Sequence, residues 1–263
     1  MTNPYSAQTL NGQEMDVAVF AGLSETVEMA RAIRPTIPPE LAEQARAGVP
    51  SIVSRSEKLM AGIEDHIDLA GMQRGTVAAV SGGAPNVPAY LSGAPLAMRR
   101  RQQVVNSDQG EIVVMVNTFA PARMPHDVAR RRGAAALALV RAASTVRPVR
   151  LFLFELTDDR VLTIIRIETA PLDLARAAWA AGELAFTHTT LIPIQFRSRF
   201  TGGIRCAADD ATEKTLKDWA AGLGAAGVLF TPPLLHSHRE HFETDEAAAR
   251  WTVRQLATIS DFA

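Results

Sequence analysis

Only one cysteine, Cys206, occurs in the 263 residues, so no disulfide can form within the chain and nothing ties it to an oxidising compartment. No apolar run approaches the length that spans a bilayer, and the opening MTNPYSAQTLNGQEMD has neither a basic flank nor an apolar signal core. A cytoplasmic protein with no membrane partner is expected. Nucleotide motifs are missing too. Ser81-Gly82-Gly83 is too short and too poor in following Lys, Ser or Thr for a phosphate loop, and no Gly-x-Gly-x-x-Gly follows a strand. No Gly-x-Ser-x-Gly elbow announces a serine hydrolase. Aromatic residues make up 6%, little for a base-stacking platform, and Tyr90, Phe119, Phe196 and Phe200 are the candidates if bases stack. Trp179, Trp219 and Trp251 fall in separate helical segments and read as packing anchors.

Apolar residues, by contrast, are plentiful: 47% of the chain, enough for a full core. The clearest stretch runs from Gly110 to Glu168. Ile112 to Asn117 is an uninterrupted, β-branched run, the pattern of a strand buried on both faces. Asp127 to Thr145 reads as a helix, with Val128, Arg132, Ala135, Leu139 and Ala142 forming a largely apolar face and Pro148 beyond its end. Val149–Leu156 and Val161–Glu168 follow as strands around the polar turn Thr157-Asp158-Asp159. The first link is a parallel crossover and the second a hairpin.

Around this centre the sequence predicts helices over 24–33, 39–47 and 54–69, then a Gly/Pro-punctuated loop over 81–95. Further helices are predicted over 171–187, 212–223 and 244–259, with Thr244 as the last N-cap, and a short strand over 227–231. Residues 191–196 either continue a helix or form a short strand. The expected organisation is a helical N-terminal extension, 1–75, and an α/β domain, 76–263. That domain is a three-layer, mostly parallel sheet flanked by helices.

Charge is balanced overall and uneven locally. Ten arginines against three acids between Leu96 and Arg150 give that segment a formal +7, leaving −8 elsewhere for a net −1. Such polarity either steers a polyanion to one face or pairs two subunits into a homo-oligomer through opposite faces. Arg99, Arg100, Arg101, Arg130 and Arg131 are the candidate nucleic-acid contacts, since guanidinium groups pair with phosphates and stack on bases. Three consecutive helical residues span about 200° of helix surface, so Arg130 to Arg132 cannot all face one ligand, and Arg132 is assigned to the sheet side. The competing reading is a solvated helix flank and an arginine-rich linker.

Several pieces carry a resemblance by their order and spacing. They are Tyr90-Leu91-Ser92-Gly93-Ala94-Pro95 with Met98, Val116-Asn117 at a strand end, Arg132-Gly133-Ala134-Ala135, Pro171-Leu172-Asp173-Leu174 and Arg250-Trp251. From Phe20 onward the chain resembles a family of uncharacterised tailed-phage and bacterial proteins, and its core order resembles a von Willebrand factor A-like, Rossmann-like domain. The resemblance implies a phage-encoded protein acting in the host cytoplasm. A metal-binding von Willebrand A domain has Asp-x-Ser-x-Ser after its first strand, and here that position reads Asn117-Thr118-Phe119-Ala120-Pro121. Without an anionic ligand a divalent-metal site is not expected. The crevice rim, Asn117, Thr118, Phe119 and Arg123, remains a candidate binding surface, because open α/β sheets place ligands at strand ends.

His236, His238 and His241 are the densest potential metal ligands. Alternate histidines suit zinc, and the stretch is similar to the His-x-His-x-Asp-His motif of metallo-β-lactamases. It departs from that motif at Glu240, lacks a following Gly-Gly, and leaves too little chain for later ligands. A solvated loop before the last helix is the competing reading, with Glu243 and Asp245 favouring that helix's N-terminus. The leading expectation is a non-enzymatic binding or adaptor protein with a protein partner and no cofactor. A single-stranded-DNA-binding accessory protein for phage transcription or replication, and a zinc enzyme built on the three histidines, are the alternatives.

Overall fold

A computed structural model describes residues 3–10, 12–36, 38–64, 74–79, 84–85, 98–103, 110–157, 160–168, 173–200 and 210–259. Its strands are β1 (Ser6–Leu10), β2 (Gln13–Phe20), β3 (Arg74–Ala79), β4 (Ala84–Pro85), β5 (Met98–Gln103), β6 (Glu111–Asn117), β7 (Val149–Thr157), β8 (Val161–Ile167) and β9 (Ala225–Thr231). The helices are α1 (Leu23–Ile33), α2 (Pro39–Ala47), α3 (Pro50–Glu64), α4 (His126–Ala143), α5 (Leu174–Gly182), α6 (Ile192–Gln195), α7 (Asp210–Gly222) and α8 (Asp245–Leu256). A π-helical turn, Phe186–Leu191, runs into α6, and a 3-10 turn, His236–Phe242, precedes α8.

Six strands form one mixed sheet in the order β1-β2-β8-β7-β6-β9, with three of its five pairings parallel. The crossover from β6 through α4 to β7 is parallel and β7–β8 is an antiparallel hairpin, as the apolar runs predict. β6 is buried on both faces because Ile112, Val114 and Val116 enter one core while Val113 and Met115 enter the other. α4 is enclosed more fully than a one-faced amphipathic helix. Its many alanines let the sheet lie on one side and α3, α5 and α8 on the others. On the opposite face, Leu216 and Ala220 of α7 pack with Phe152, and Trp219 meets the Phe152 ring edge-on at 5.1 Å. Trp179 and Trp251 are buried in the larger core.

The N-terminal region departs from a purely helical extension. Residues 6–20 are a hairpin whose second strand joins the main sheet, with β2 running parallel to β8 from Asp16↔Val161 to Phe20↔Ile165. Met15 and Val17 go to one face and Ala18 and Phe20 to the other, so β2 is a sheet strand in its own right. α1, α2 and α3 then contribute Leu23, Ala30, Ala45, Ile52 and Ile63 to the larger core. The predicted arginine linker is corrected too. Arg99, Arg100 and Arg101 lie on β5, paired with Ala78, Val77 and Thr76 of β3 in a separate three-stranded sheet. Tyr90 and most of the predicted loop over 81–95 lie outside the described residues. Among the described residues no helix is long and apolar enough to cross a membrane.

Candidate functional site

The carboxyl ends of β6 and β7 are where an open α/β sheet offers a crevice. Three of the four expected rim residues come together there, with two of them turned inward. The Asn117 side-chain oxygen accepts from the Phe119 N–H at 3.0 Å, a local turn of the kind asparagine favours. The Thr118 hydroxyl donates toward the Phe154 carbonyl at 3.3 Å and the Glu155 carboxylate at 3.4 Å. Asn117 and Thr118 are buried, Phe119 is half-buried and Arg123 is exposed.

Arg132 explains why this loop is fixed. From the second turn of α4 its guanidinium donates to the carbonyls of Asn117 at 2.8 Å, Phe119 at 3.0 Å, Thr118 at 3.3 Å and Ala181 at 3.1 Å. A planar fork with five donors suits such a cluster, and a compact ammonium would not span it. Reaching Ala181 requires α4 and α5 to approach backbone to backbone. A Cβ on Gly133 would lie 2.6 Å from the Cα of Gly182. The Arg132-Gly133 pair is therefore one device, a cation and the close crossing that lets it work.

The crevice itself is filled by the chain. The π-helical turn and α6 cross the strand ends, with the Thr187 hydroxyl donating to the Thr118 carbonyl at 2.8 Å. Gln195, at the far end of α6, is fully buried beside Glu155 of β7. Beyond it Asp16, at the start of β2's pairing with β8, grips the next loop. It accepts from the Ser198 hydroxyl at 2.7 Å, the Arg199 N–H at 2.9 Å and the Arg199 Nε at 2.8 Å.

Electrostatics differ sharply between these two buried acids. Burial pushes the pKa of Glu155 from an ordinary 4.5 up to about 7, opposed in part by Gln195, Thr118 and the charge of Arg132. Burial also acts on Asp16, but Ser198 and Arg199 outweigh it and hold that carboxyl below the usual range. Tyr5 completes the layer. Its hydroxyl meets the Thr163 hydroxyl at 2.8 Å, and burial raises its pKa, helped by Glu155 and Asp16.

One aromatic stands out from this rigid floor. Phe196 is 61% exposed, the largest such value among the described large apolar residues, and Arg197 beside it is exposed. The Phe200 ring is flanked by Arg199 at 4.7 Å and Arg160 at 5.3 Å.

The other expected contacts are largely engaged within the fold. Arg130 pairs with Glu183 at 2.6 Å. Arg131 bonds Asp127, pairs with Asp245 at 3.2 Å and donates to the carbonyls of Phe242 and Glu243. His236, His238 and His241 share one 3-10 turn, where His236 is exposed and His238 Nδ1 lies 3.0 Å from the Pro233 carbonyl. Burial and then Arg254 lower the His241 pKa. Among the described residues no group of three or more His, Cys, Asp or Glu gathers to hold a metal. Thr244 caps α8 by accepting from the Ala247 N–H at 3.1 Å.

Glu155 and Gln195 were not among the expected site residues. The available signal was Glu155's place inside Val149–Leu156, a run apolar enough to be buried on both faces.

Fold and site thus define an α/β protein whose strand-end crevice is closed by its own chain. Residues 38–155, from near the start of α2 into β7, match a family described as a domain of unknown function, DUF7192. The match takes in the Asn117–Arg123 loop, α4 and Glu155, and spans less than half of the chain. No curated protein and no solved structure matches the chain. Neither the von Willebrand A-like family nor the phage origin implied by the segment resemblance gains support from these matches.

Proposed function

We propose that this protein is a non-enzymatic binding protein that acts through protein–protein contacts at the carboxyl end of its sheet. The observation that carries this is Phe196, exposed beside Arg197 and held rigid by the grip of Asp16 on Ser198 and Arg199. An aromatic and an arginine on a preorganised support have the composition of an interface hot spot, and little ordering entropy is lost when a partner arrives. The filled crevice supports the non-enzymatic part, since the place an α/β sheet offers a substrate is taken by the π-helical turn and α6.

Within the same reading the sheet is a von Willebrand A-like core that has lost its metal motif. The order β6, α4, β7, antiparallel β8 supports this, as does the Arg132 cation drawing in the carbonyls of residues 117 to 119. A protein partner is favoured over nucleic acid because Arg130, Arg131 and Arg199 already pair with acids, while phosphate binding depends on cations free to replace counterions.

Photo-cross-linking in cells that express the protein tests the reading, with benzoylphenylalanine at position 196 and, as control, at Ser144 beyond the far end of α4. A discrete protein adduct from position 196, absent from 144 and weakened by Arg197→Glu, is expected. A nuclease-sensitive adduct would transfer the site to the nucleic-acid reading, and no adduct at 196 would overturn both.

A further inference from the structure

β1 is an outer strand of the six-stranded sheet, and its sequence, Ser-Ala-Gln-Thr-Leu, contains no charge and no proline. Edge strands usually carry one of these to discourage pairing with another chain. Ser6 to Thr9 are all exposed, and only Leu10 is partly covered. The opposite edge is different, since the pairing of β9 with β6 is interrupted by a register shift at Glu111/Ile112.

The hairpin fixes which backbone groups of β1 face outward. Leu10 pairs with Gln13 at the close of the hairpin, and Gly12 has φ of 75°. The turn bond joins Leu10 to Gln13, so Leu10, Gln8 and Ser6 direct their N–H and C=O groups at β2. Ala7 and Thr9 direct theirs away from the sheet. Tyr5 faces outward as well, but its N–H is taken by the Asn3 side chain at 3.1 Å. Among the described residues the open donors and acceptors are therefore those of Ala7 and Thr9, symmetric about Gln8.

We propose that β1 pairs antiparallel with β1 of a second copy of this chain, on a two-fold axis through Gln8, joining two six-stranded sheets into one. Ala7 of each copy exchanges both backbone bonds with Thr9 of the other. On one face Gln8 meets Gln8, whose amides are mutually complementary as donor and acceptor, with Ser6 opposite Leu10. Ala7 stands opposite Thr9 on the other face. No like charges meet across the axis. The nearest acids, Glu14 and Asp16, sit on β2, so those of the two copies are about 14 Å apart at a strand spacing near 4.8 Å. Arg199 also pairs with both. With a single large apolar side chain per strand, Leu10, the contact is smaller than a permanent interface, which makes the dimer concentration-dependent. This inference is independent of the Phe196 surface.

Sedimentation velocity of the full chain between about 2 and 200 µM tests it, since a reversible dimer grows with protein concentration. The dimer fraction is expected to rise across that range. Thr9→Pro removes an outward N–H while leaving the bonds to β2 intact, and Gln8→Lys sets two cations face to face on the axis. Each is expected to weaken dimerisation at least tenfold with an unchanged far-UV CD spectrum. Gln8→Lys, at an exposed position, decides the matter if the proline variant misfolds. A wild-type chain that stays monomeric at the top concentration, or a dimer that survives Gln8→Lys, would overturn the proposal.

Discussion

Glu155 holds its proton to a higher pH than an exposed glutamate does, and folding is coupled to that proton. Its folded pKa is raised from about 4.5 to about 7, so its contribution to stability is complete below the lower value and is lost as pH rises through the upper one. Gln195, Thr118 and the charge of Arg132 favour its ionised form, and burial outweighs them. Urea unfolding should show the wild type less stable at pH 8 than at pH 5 by on the order of 3 kcal/mol from this group. Glu155→Gln, neutral at every pH, should flatten that dependence and be the more stable protein at pH 8. Equal slopes for the two proteins would remove Glu155 as the source. Arg132→Met, in contrast, removes the donor to the carbonyls of Asn117 and Ala181 and leaves Thr187 as the donor to that of Thr118. A loss of about 3–5 kcal/mol in denaturant unfolding is expected, the scale for removing one partner of a buried charged network.

At the scale of elements, the crossing of α4 and α5 depends on Gly133 having no side chain. Gly133→Ala places a methyl 2.6 Å from the Cα of Gly182, and backbone cannot rotate out of the way as a side chain can. A destabilisation of about 1–3 kcal/mol is expected by thermal or denaturant unfolding. Gly62→Ala in α3 meets nothing within 4 Å and should stabilise by about 0.4–1 kcal/mol, so the pair separates close packing from helix propensity. The elements from β6 to β8 were legible because their apolar runs are long and separated by a polar turn. α8 was legible from its Thr244 cap. β1 and β2 were not read. β1 is exposed on both faces and so carries no hydrophobic period, while β2 opens on Gln13 and Glu14 and places a buried Asp16 among its apolar residues. Asn11-Gly12, a strong short-range hairpin signal, was the available clue. The π-helical turn has no sequence signature of its own, and Pro193 left residues 191–196 open between helix and strand. Of the site, the rim residues 117 to 119 could be located from the end of an apolar run. Their inward turn depends on Arg132, Thr187 and Gln195, which come from elsewhere in the chain.

For the whole molecule, the internal engagement of His238, Arg130 and Arg131 has consequences for ligands. Equilibrium dialysis is expected to find less than one zinc or magnesium ion per chain. Stoichiometric zinc that disappears in His238→Gln would restore the metal reading of the 3-10 turn. Fluorescence anisotropy with labelled single-stranded DNA should likewise show no binding that persists at physiological salt, and persistent binding lost on Arg99→Ala, Arg100→Ala and Arg101→Ala together would reopen the nucleic-acid reading. The pairing of β2 with β8 also bears on how the molecule is made. Phe20 leaves the ribosome long before Ile165, the residue it lies beside, exists. At about 5–20 residues per second the interval is on the order of ten seconds. Throughout that time Met15, Val17 and Phe20 have no sheet to join, and a nascent hairpin with an uncharged outer strand stands exposed among neighbouring chains. Crowded polysomes are thus where an N-terminal segment of this kind is most open to capture by a chaperone or by its own copies.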